Sequence, residues 1–535
     1  MKNDNVKCKS CEKDFLVDKD DLAFYEKIHV PPPTLCPECR YQRRLANRNE
    51  WNFYKRNCSL CGKSMVTIYN PAYPGPVYCQ PCYWSDNWDT LDYGRDFDFL
   101  RPFFEQFKEH RFTVPRIALA NSKSINSKYT NQASENKDCY LIIAASWNEY
   151  CFYGNWLQHD PECVDCWNIE KCELMYESLN CLKCYRCVYL EDGAGCNDCH
   201  FSNDLRGCSH CFGCVGLRNK TYCWFNEQIT KGEYQKRLSV FDWSREAIDQ
   251  TRAKLCELRL KIPTKYYHGN HNINCTGDYV SFNKNTHDAF NCSKNENLKY
   301  GQDAWEARDC MDLTETLDND LEYELEGAGW SHGSMFSCKL WTGTNILYSE
   351  LTFGSENLFG CVSMIKKKYC IFNKQYSPEE YKALKEKIIA HMKTTGEYGE
   401  FFPVNISPFP YNDTVANDYF TMSKAEVLSK GFRWYDKPKT EYKIGGDILQ
   451  CVNEKCAGVG AFRLHPTEIE FYKKMHLPTP DLCFPCRLKA RLARRNSRKL
   501  WKRECMKCSK AIETSYSPDR QEIIYCEECY NRGAS

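Results

Sequence analysis

The sequence predicts a mainly β, multidomain protein in which two tandem β-solenoids with capping helices lie between two cysteine-rich metal modules. Three observations predict it. Sixteen of the 37 cysteines form eight close pairs, arranged as the same four-pair array at each end of the chain. Between the arrays, cysteines recur on a 12-residue register. That repeat region is itself duplicated with an offset of 147 positions.

The N-terminal array is Cys8/Cys11, Cys36/Cys39, Cys58/Cys61 and Cys79/Cys82, and the C-terminal one is Cys451/Cys456, Cys483/Cys486, Cys505/Cys508 and Cys526/Cys529. From the second pair onward each cysteine is displaced by 447 positions, so the two ends hold one duplicated module. Two close thiolate pairs satisfy the tetrahedral demand of Zn²⁺, and a closed four-cysteine site keeps no open position for catalysis. The arrays therefore predict about four structural zinc ions per chain. Sequential pairing joins pairs one and two at one site and pairs three and four at the next; an interleaved cross-brace is the alternative. Other residues align with the cysteines: Phe24-Tyr25 with Phe471-Tyr472, His29 with His476, Arg40 with Arg487.

The segment KCKSCEKDFLVDKDDLAFYEKIHVPPPTLCPECRYQRR resembles the "probable zinc-ribbon" domain of bacterial proteins. It has a CxxC, an aromatic, an acidic stretch with Phe-Tyr, and a second CxxC followed at once by Arg. The resemblance covers about forty residues at each end and implies a zinc-ribbon or treble-clef-like module in which pairs one and two share a zinc. The C-terminal copy departs from the pattern at CVNEKC, which puts Cys451 or the geometry of that knuckle in doubt. The whole chain is also similar to uncharacterised cysteine-rich proteins of uncultured bacteria, a resemblance that carries no function.

Cys139, Cys151, Cys163, Cys187, Cys199, Cys211 and Cys223 share one 12-residue register, with Met175 in the vacant slot. Short strands and turns at fixed spacing read as a solenoid whose stacked coils bury an inward ladder. One 12-mer is either a whole coil or half of a coil of about 24. In the second copy Cys163, Cys187, Cys199 and Cys211 become Cys310, Ser334, Ile346 and Leu358. Ile and Leu keep burial and abolish ligation, so these cysteines read as core, with extra metal in the first solenoid as the alternative. Each copy runs into a helix, roughly 231–260 and 378–393, expected to cover the open solenoid end. Ser377-Pro378-Glu379-Glu380 has the capping box and first-turn proline of a helix start.

The resulting layout is 1–90, double metal module; 91–120, linker; 121–262 and 263–397, the solenoids with their helices; 398–445, linker with a short helix begun by Ser423 and stopped by Gly431; 446–535, second double metal module.

Function is less legible. The net charge of +1 gives no whole-chain argument for a polyanionic partner. Yet RYQRRLANRNEWNFYKR has six basic residues against one Glu, and RLKARLARRNSRKLWKR has nine and none acidic, in the same slot of each module. Arg40, Arg43, Arg44 and Arg48, and Arg487, Arg491, Arg494, Arg495 and Arg498, are the candidate phosphate contacts, with Trp501 able to stack on a base. DNA or RNA binding through these segments, with the solenoids as rigid scaffold, is the favoured expectation, and a protein–protein scaffold with purely structural zinc is the alternative.

Catalytic residues are not assigned, because there is no HExxH, GxSxG, Walker-type loop or Rossmann fingerprint. A solenoid-based enzyme would have to use a group such as Glu322/Glu324/Glu326, set on one face by strand alternation. No small-molecule substrate is evident. The first thirty residues are too charged for a signal peptide, and no apolar run suits a membrane span, so a cytoplasmic protein without a membrane partner is expected. A reducing compartment also favours thiols and thiolates over disulfides.

Overall fold

A computed structural model describes residues 4–301, 311, 319–438 and 442–532. Cys310 lies outside the described residues. The chain forms two compact units, each built from separate stretches. The first unit combines Met1–Ala118, Tyr267–Asp436 and Arg498–Leu500; the second combines Leu119–Tyr266, Lys437–Ser497 and Trp501–Ser535. Each terminal module is thus joined to the run of coils farther from it in sequence.

The middle of the chain is a β-solenoid of 12-residue coils. Cys199 pairs in parallel with Cys211, and Cys211 with Cys223, so each rung is one 12-mer and the 24-residue alternative is set aside. The corners are backbone turns into the left-handed region at every third residue, as at Lys123, Asn126, Tyr129 and Gln132. A coil is therefore a square with three residues per side. Left-handed φ costs a non-glycine residue about 1–2 kcal/mol, and the strain is held by hydrogen bonds to the coils above and below.

This geometry explains the cysteines. In each triplet one residue points to the axis, giving the inward series Cys139, Ile142, Ala145 and Asn148, all buried. Four side chains must share one narrow coil interior, which favours small ones. At Gly154 and Gly193 even a Cβ would lie 2.3 and 2.5 Å from Leu157 and Leu190, the large inward neighbours they accommodate.

Size alone would also permit alanine, and hydrogen bonding supplies the second constraint. The other two N–H groups of a triplet bond adjacent coils: Lys128 N–H donates to Cys139 O and Leu141 N–H to Lys128 O. The inward N–H faces the core and needs an acceptor there. Asn148 N–H donates to Asn136 Oδ1 (3.1 Å), Asp160 N–H to Asn148 Oδ1 (3.0 Å), Cys172 N–H to Asp160 Oδ1 (2.7 Å) and Cys184 N–H to Cys172 Sγ (3.4 Å). The thiols in turn donate to backbone carbonyls, as Cys163 does to Pro161 O at 3.4 Å. In the first unit serine has the same role. Ser349 N–H donates to Ser337 Oγ, Cys361 N–H to Ser349 Oγ, and Ile346 N–H to Ser334 Oγ, Ser334 being the counterpart of Cys187. Cysteine is here a small, weakly polar residue that fits both demands.

Asp160 is the ionisable member of this column, and burial pushes its carboxyl up to about 8. The folded chain thus holds a proton that the unfolded chain, at the ordinary value of 3.8, releases. This term lowers stability as pH rises from about 4 towards 8. Asp160→Asn, which matches Asn136 and Asn148, should raise stability at pH 8 by about 1–3 kcal/mol, less than the full shift because Gln158 N–H loses an acceptor. Urea denaturation at pH 5 and pH 8 checks it; a variant less stable than the parent at pH 8 would contradict it.

Each run of coils ends on a reversed strand, Glu227–Gln228 against Cys223-Trp224 and Lys374–Gln375 against Cys370-Ile371. The expected helix over 231–260 is two, Lys231–Ser239 and Arg245–Arg259, the second capped by Ser244. They pack on outward aromatics of the last coils, Tyr234 and Ile248 joining Phe201 and Phe212 in one core. The first unit has one helix there, Pro378–Thr394, with the predicted Ser377 capping box. Helix Lys424–Ser429 also begins at Ser423 as expected, followed by Gly431 at φ 79°. No helix among the described residues is long and apolar enough to cross a membrane.

Candidate metal centres and the arginine clamps

Among the described residues, four groups of four cysteines converge: Cys8, Cys11, Cys36 and Cys39; Cys58, Cys61, Cys79 and Cys82; Cys451, Cys456, Cys483 and Cys486; Cys505, Cys508, Cys526 and Cys529. Pairing is sequential, and the cross-brace alternative falls away. Within each group the sulfurs lie within 4.8 Å of one another. Cys11–Cys36 and Cys508–Cys526 are separated by 3.7 Å, Cys61–Cys79 by 3.9 Å and Cys451–Cys486 by 3.8 Å. Thiolates about 2.3 Å from a tetrahedral ion stand about 3.8 Å apart, so the spacing fits a bound metal.

The same scaffold builds all four. A short antiparallel hairpin carries the first knuckle, as in Asp4–Lys7 with Asp14–Val17 and Trp501–Glu504 with Ala511–Thr514. The third cysteine caps a helix with no side-chain cap bond of its own, at Cys36, Cys79, Cys483 and Cys526. Its N–H donates to the first cysteine's sulfur at 3.3, 3.3, 3.3 and 3.2 Å in the four sites. At Cys58 and Cys505 burial raises the thiol, but such backbone donors outweigh it and hold the group at about 6, favouring the thiolate a metal needs. The divergent CVNEKC knuckle still closes its group: Asn453 Nδ2 donates to Cys486 Sγ at 3.3 Å, and Ala457 N–H does so at 3.2 Å. Among the described residues no solenoid cysteine joins such a group, nor do His268, His271 and Cys275.

The helices that start at Cys36 and Cys483 carry the first part of the two basic segments, and their arginines point inward. In the second unit, helix Phe484–Arg494 lies on the solenoid. Arg487 Nε is 2.9 Å from Asp165 Oδ2, and Arg491 Nη1 is 2.6 Å from Asp165 Oδ1 and 2.9 Å from Glu177 Oε1. Arg494 Nη2 is 3.0 Å from Glu177 Oε2. Arg487 and Arg495 also cover the rings of Tyr153 and Trp167, each at 4.7 Å.

In the first unit, helix Pro37–Leu45 repeats the arrangement. Glu324 meets Arg43 at 3.0 Å, Arg44 at 3.3 Å and Arg40 at 3.6 Å, and Arg48 lies 3.1 Å from Glu326. Arg44 and Arg491 occupy the same slot of the duplicated module, and Glu177 and Glu324 the same slot of the duplicated solenoid. One ion pair has thus been kept in both copies.

These positions revise the reading of the candidate phosphate contacts. Arg40, Arg43, Arg44, Arg48, Arg487 and Arg491 are all buried, Arg44 at 0% exposure and Arg491 at 1%, with their charges opposed by solenoid carboxylates. Arg494, Arg495 and Arg498 are half-buried; Arg498 donates to Tyr41 OH at 2.8 Å. Trp501 lies half-buried in its hairpin strand. The acidic partners Asp165, Glu177, Glu324 and Glu326 were not expected from composition, although the two duplication offsets place arginine and carboxylate in matching slots.

Glu322, Glu324 and Glu326 do not share a face, because the triplet period and not strand alternation sets side-chain direction. Glu322 turns towards the axis and accepts from Ser331 Oγ, while Glu324 and Glu326 meet the arginines. No family model and no curated protein matches the chain.

Proposed function

We propose that the chain is a non-enzymatic, zinc-stabilised scaffold in which two tandem β-solenoids are each clamped along one flank by a zinc-ribbon-like terminal module. The observation that carries this reading is the buried pairing of Arg491 with Asp165 and Glu177, echoed by Arg44 with Glu324. The basic segments supply the clamp, so their main contribution is to fix each module on its solenoid. All-thiolate, four-coordinate sites with no open position suit zinc in a structural role. The solenoid flanks away from the clamps are polar, with exposed inter-coil pairs such as Lys123–Glu135, Asn126–Asp138 and Lys137–Glu149, and offer a protein partner a fixed surface.

A nucleic-acid ligand would need the same guanidinium groups to be available. Titration of the full chain with mixed single- and double-stranded nucleic acid at low ionic strength tests the choice. The scaffold reading expects no saturable binding that weakens with salt. Binding with a steep salt dependence, relaxed by Arg494→Ala or Arg495→Ala, would overturn it in favour of nucleic acid.

A further inference from the structure

We propose that a cavity in the second unit binds a small carboxylate- or phosphate-bearing anion, a role beyond the scaffold reading. The cavity, about 230 Å³, opens where helix Arg245–Arg259 meets the clamp helix Phe484–Arg494 and the Pro478–Leu482 turn. Among the described residues, helix Arg245–Arg259 has no counterpart in the first unit, where helix Pro378–Thr394 runs into the Pro403 linker. The duplication has therefore been made unequal at the element that closes this space.

Its walls join apolar surface to guanidinium groups with unused donors. Arg252 lies over the Tyr189 ring at 4.9 Å. Its ion-pair neighbour on the same helix, Asp249, is 3.9 Å away, too far for a hydrogen bond. Across the cavity Arg487, 5% exposed, uses Nε towards Asp165 and donates from Nη1 to Leu482 O at 2.9 Å, while Nη2 has no partner. Arg245 is already satisfied by Asp481 at 2.8 Å and Thr479 O at 2.7 Å, and Arg494 by Glu177.

A planar carboxylate or a phosphate matches the fork of Arg252, and the unpartnered Nη2 of Arg487 lies in the same partly desolvated lining. Tyr176, Tyr189, Pro478 and Pro480 supply apolar surface beside it, so an anion with a compact apolar body gains most. The volume limits the ligand to a small molecule.

Calorimetric titration of the full-length, metal-loaded chain with inorganic phosphate and, separately, with benzoate tests the site, with chloride at matched ionic strength as the control. Saturable binding of either anion is expected, weakened about tenfold or more by Arg252→Gln. Asp249→Asn, which removes the nearest competing carboxylate, should tighten it severalfold. Tighter benzoate binding would assign the site to carboxylates with an apolar body; phosphate binding alone would assign it to phosphate groups. Arg252 lies on a half-exposed helix surface, and an unchanged melting temperature of the ligand-free variant separates lost binding from lost fold. Absence of saturable binding by both anions, or binding unaffected by Arg252→Gln, would overturn the proposal. Either result leaves the scaffold reading as it stands, since the clamp pairs are untouched.

Discussion

Arg491→Ala should destabilise the second unit by about 3–5 kcal/mol and free the C-terminal module from the solenoid. The side chain is fully buried and faces two carboxylates, Asp165 at 2.6 Å and Glu177 at 2.9 Å. Its removal leaves the fully buried Asp165 with Arg487 alone and Glu177 with Arg494. The cost comes chiefly from stranding charge, so replacing the whole cluster with apolar residues should cost far less than replacing its centre. Glu324→Ala is the matching experiment in the first unit, where Arg40, Arg43 and Arg44 converge on one carboxylate. Denaturation midpoints and protease sensitivity of the module report both variants. A change below about 1 kcal/mol, the range of exposed pairs, would mean that the clamps do not hold the modules.

Stripping the four cysteine sites of metal should have the larger effect still. Structural zinc contributes on the order of 10 kcal/mol per site to small modules. The ligand cysteines also begin the clamp helices: Cys36 caps Pro37–Leu45 and Cys483 caps Phe484–Arg494. Chelation should therefore unfold the knuckles and release the clamp helices together, while the coils, held by their own hydrogen bonds and inward cores, remain folded. Hydrogen exchange separates these regions. The expected result is rapid exchange in both clamp helices with continued protection at the coil amides. Protected clamp helices after complete chelation would show that the arginine pairs suffice without metal.

The four-cysteine groups were legible in the sequence because the spacing is local: two-residue knuckles at Cys8/Cys11 and Cys483/Cys486 specify their own geometry, and even the widened Cys451/Cys456 knuckle closes its group. The solenoid was legible because its repeat is a sequence period, and the exchange of Cys199 and Cys211 for Ile346 and Leu358 pointed to packing. The triplet beneath the 12-residue register was missed, since inward positions alternate among Cys, Ile, Asn, Asp, Gly and Leu and share no single chemistry. What unites them is an inward N–H and little room, both properties of the folded backbone. The destination of the arginines was harder to read. A basic helix looks the same whether it meets phosphate or a distant carboxylate, and Arg491 lies 326 positions from Asp165. Tyr176 and Phe152, which follow inward positions of the coils, pack on Tyr472 and His465 of the module.

The most direct test is the metal content of the purified, full-length chain, measured by elemental analysis against protein concentration. Four four-cysteine groups, with no solenoid cysteine among the described residues joining such a group, predict four zinc ions per chain. Six or more ions would return the solenoid cysteines to the role of ligands, and iron in place of zinc, or a chain folded with none, would contradict the structural zinc on which the scaffold rests.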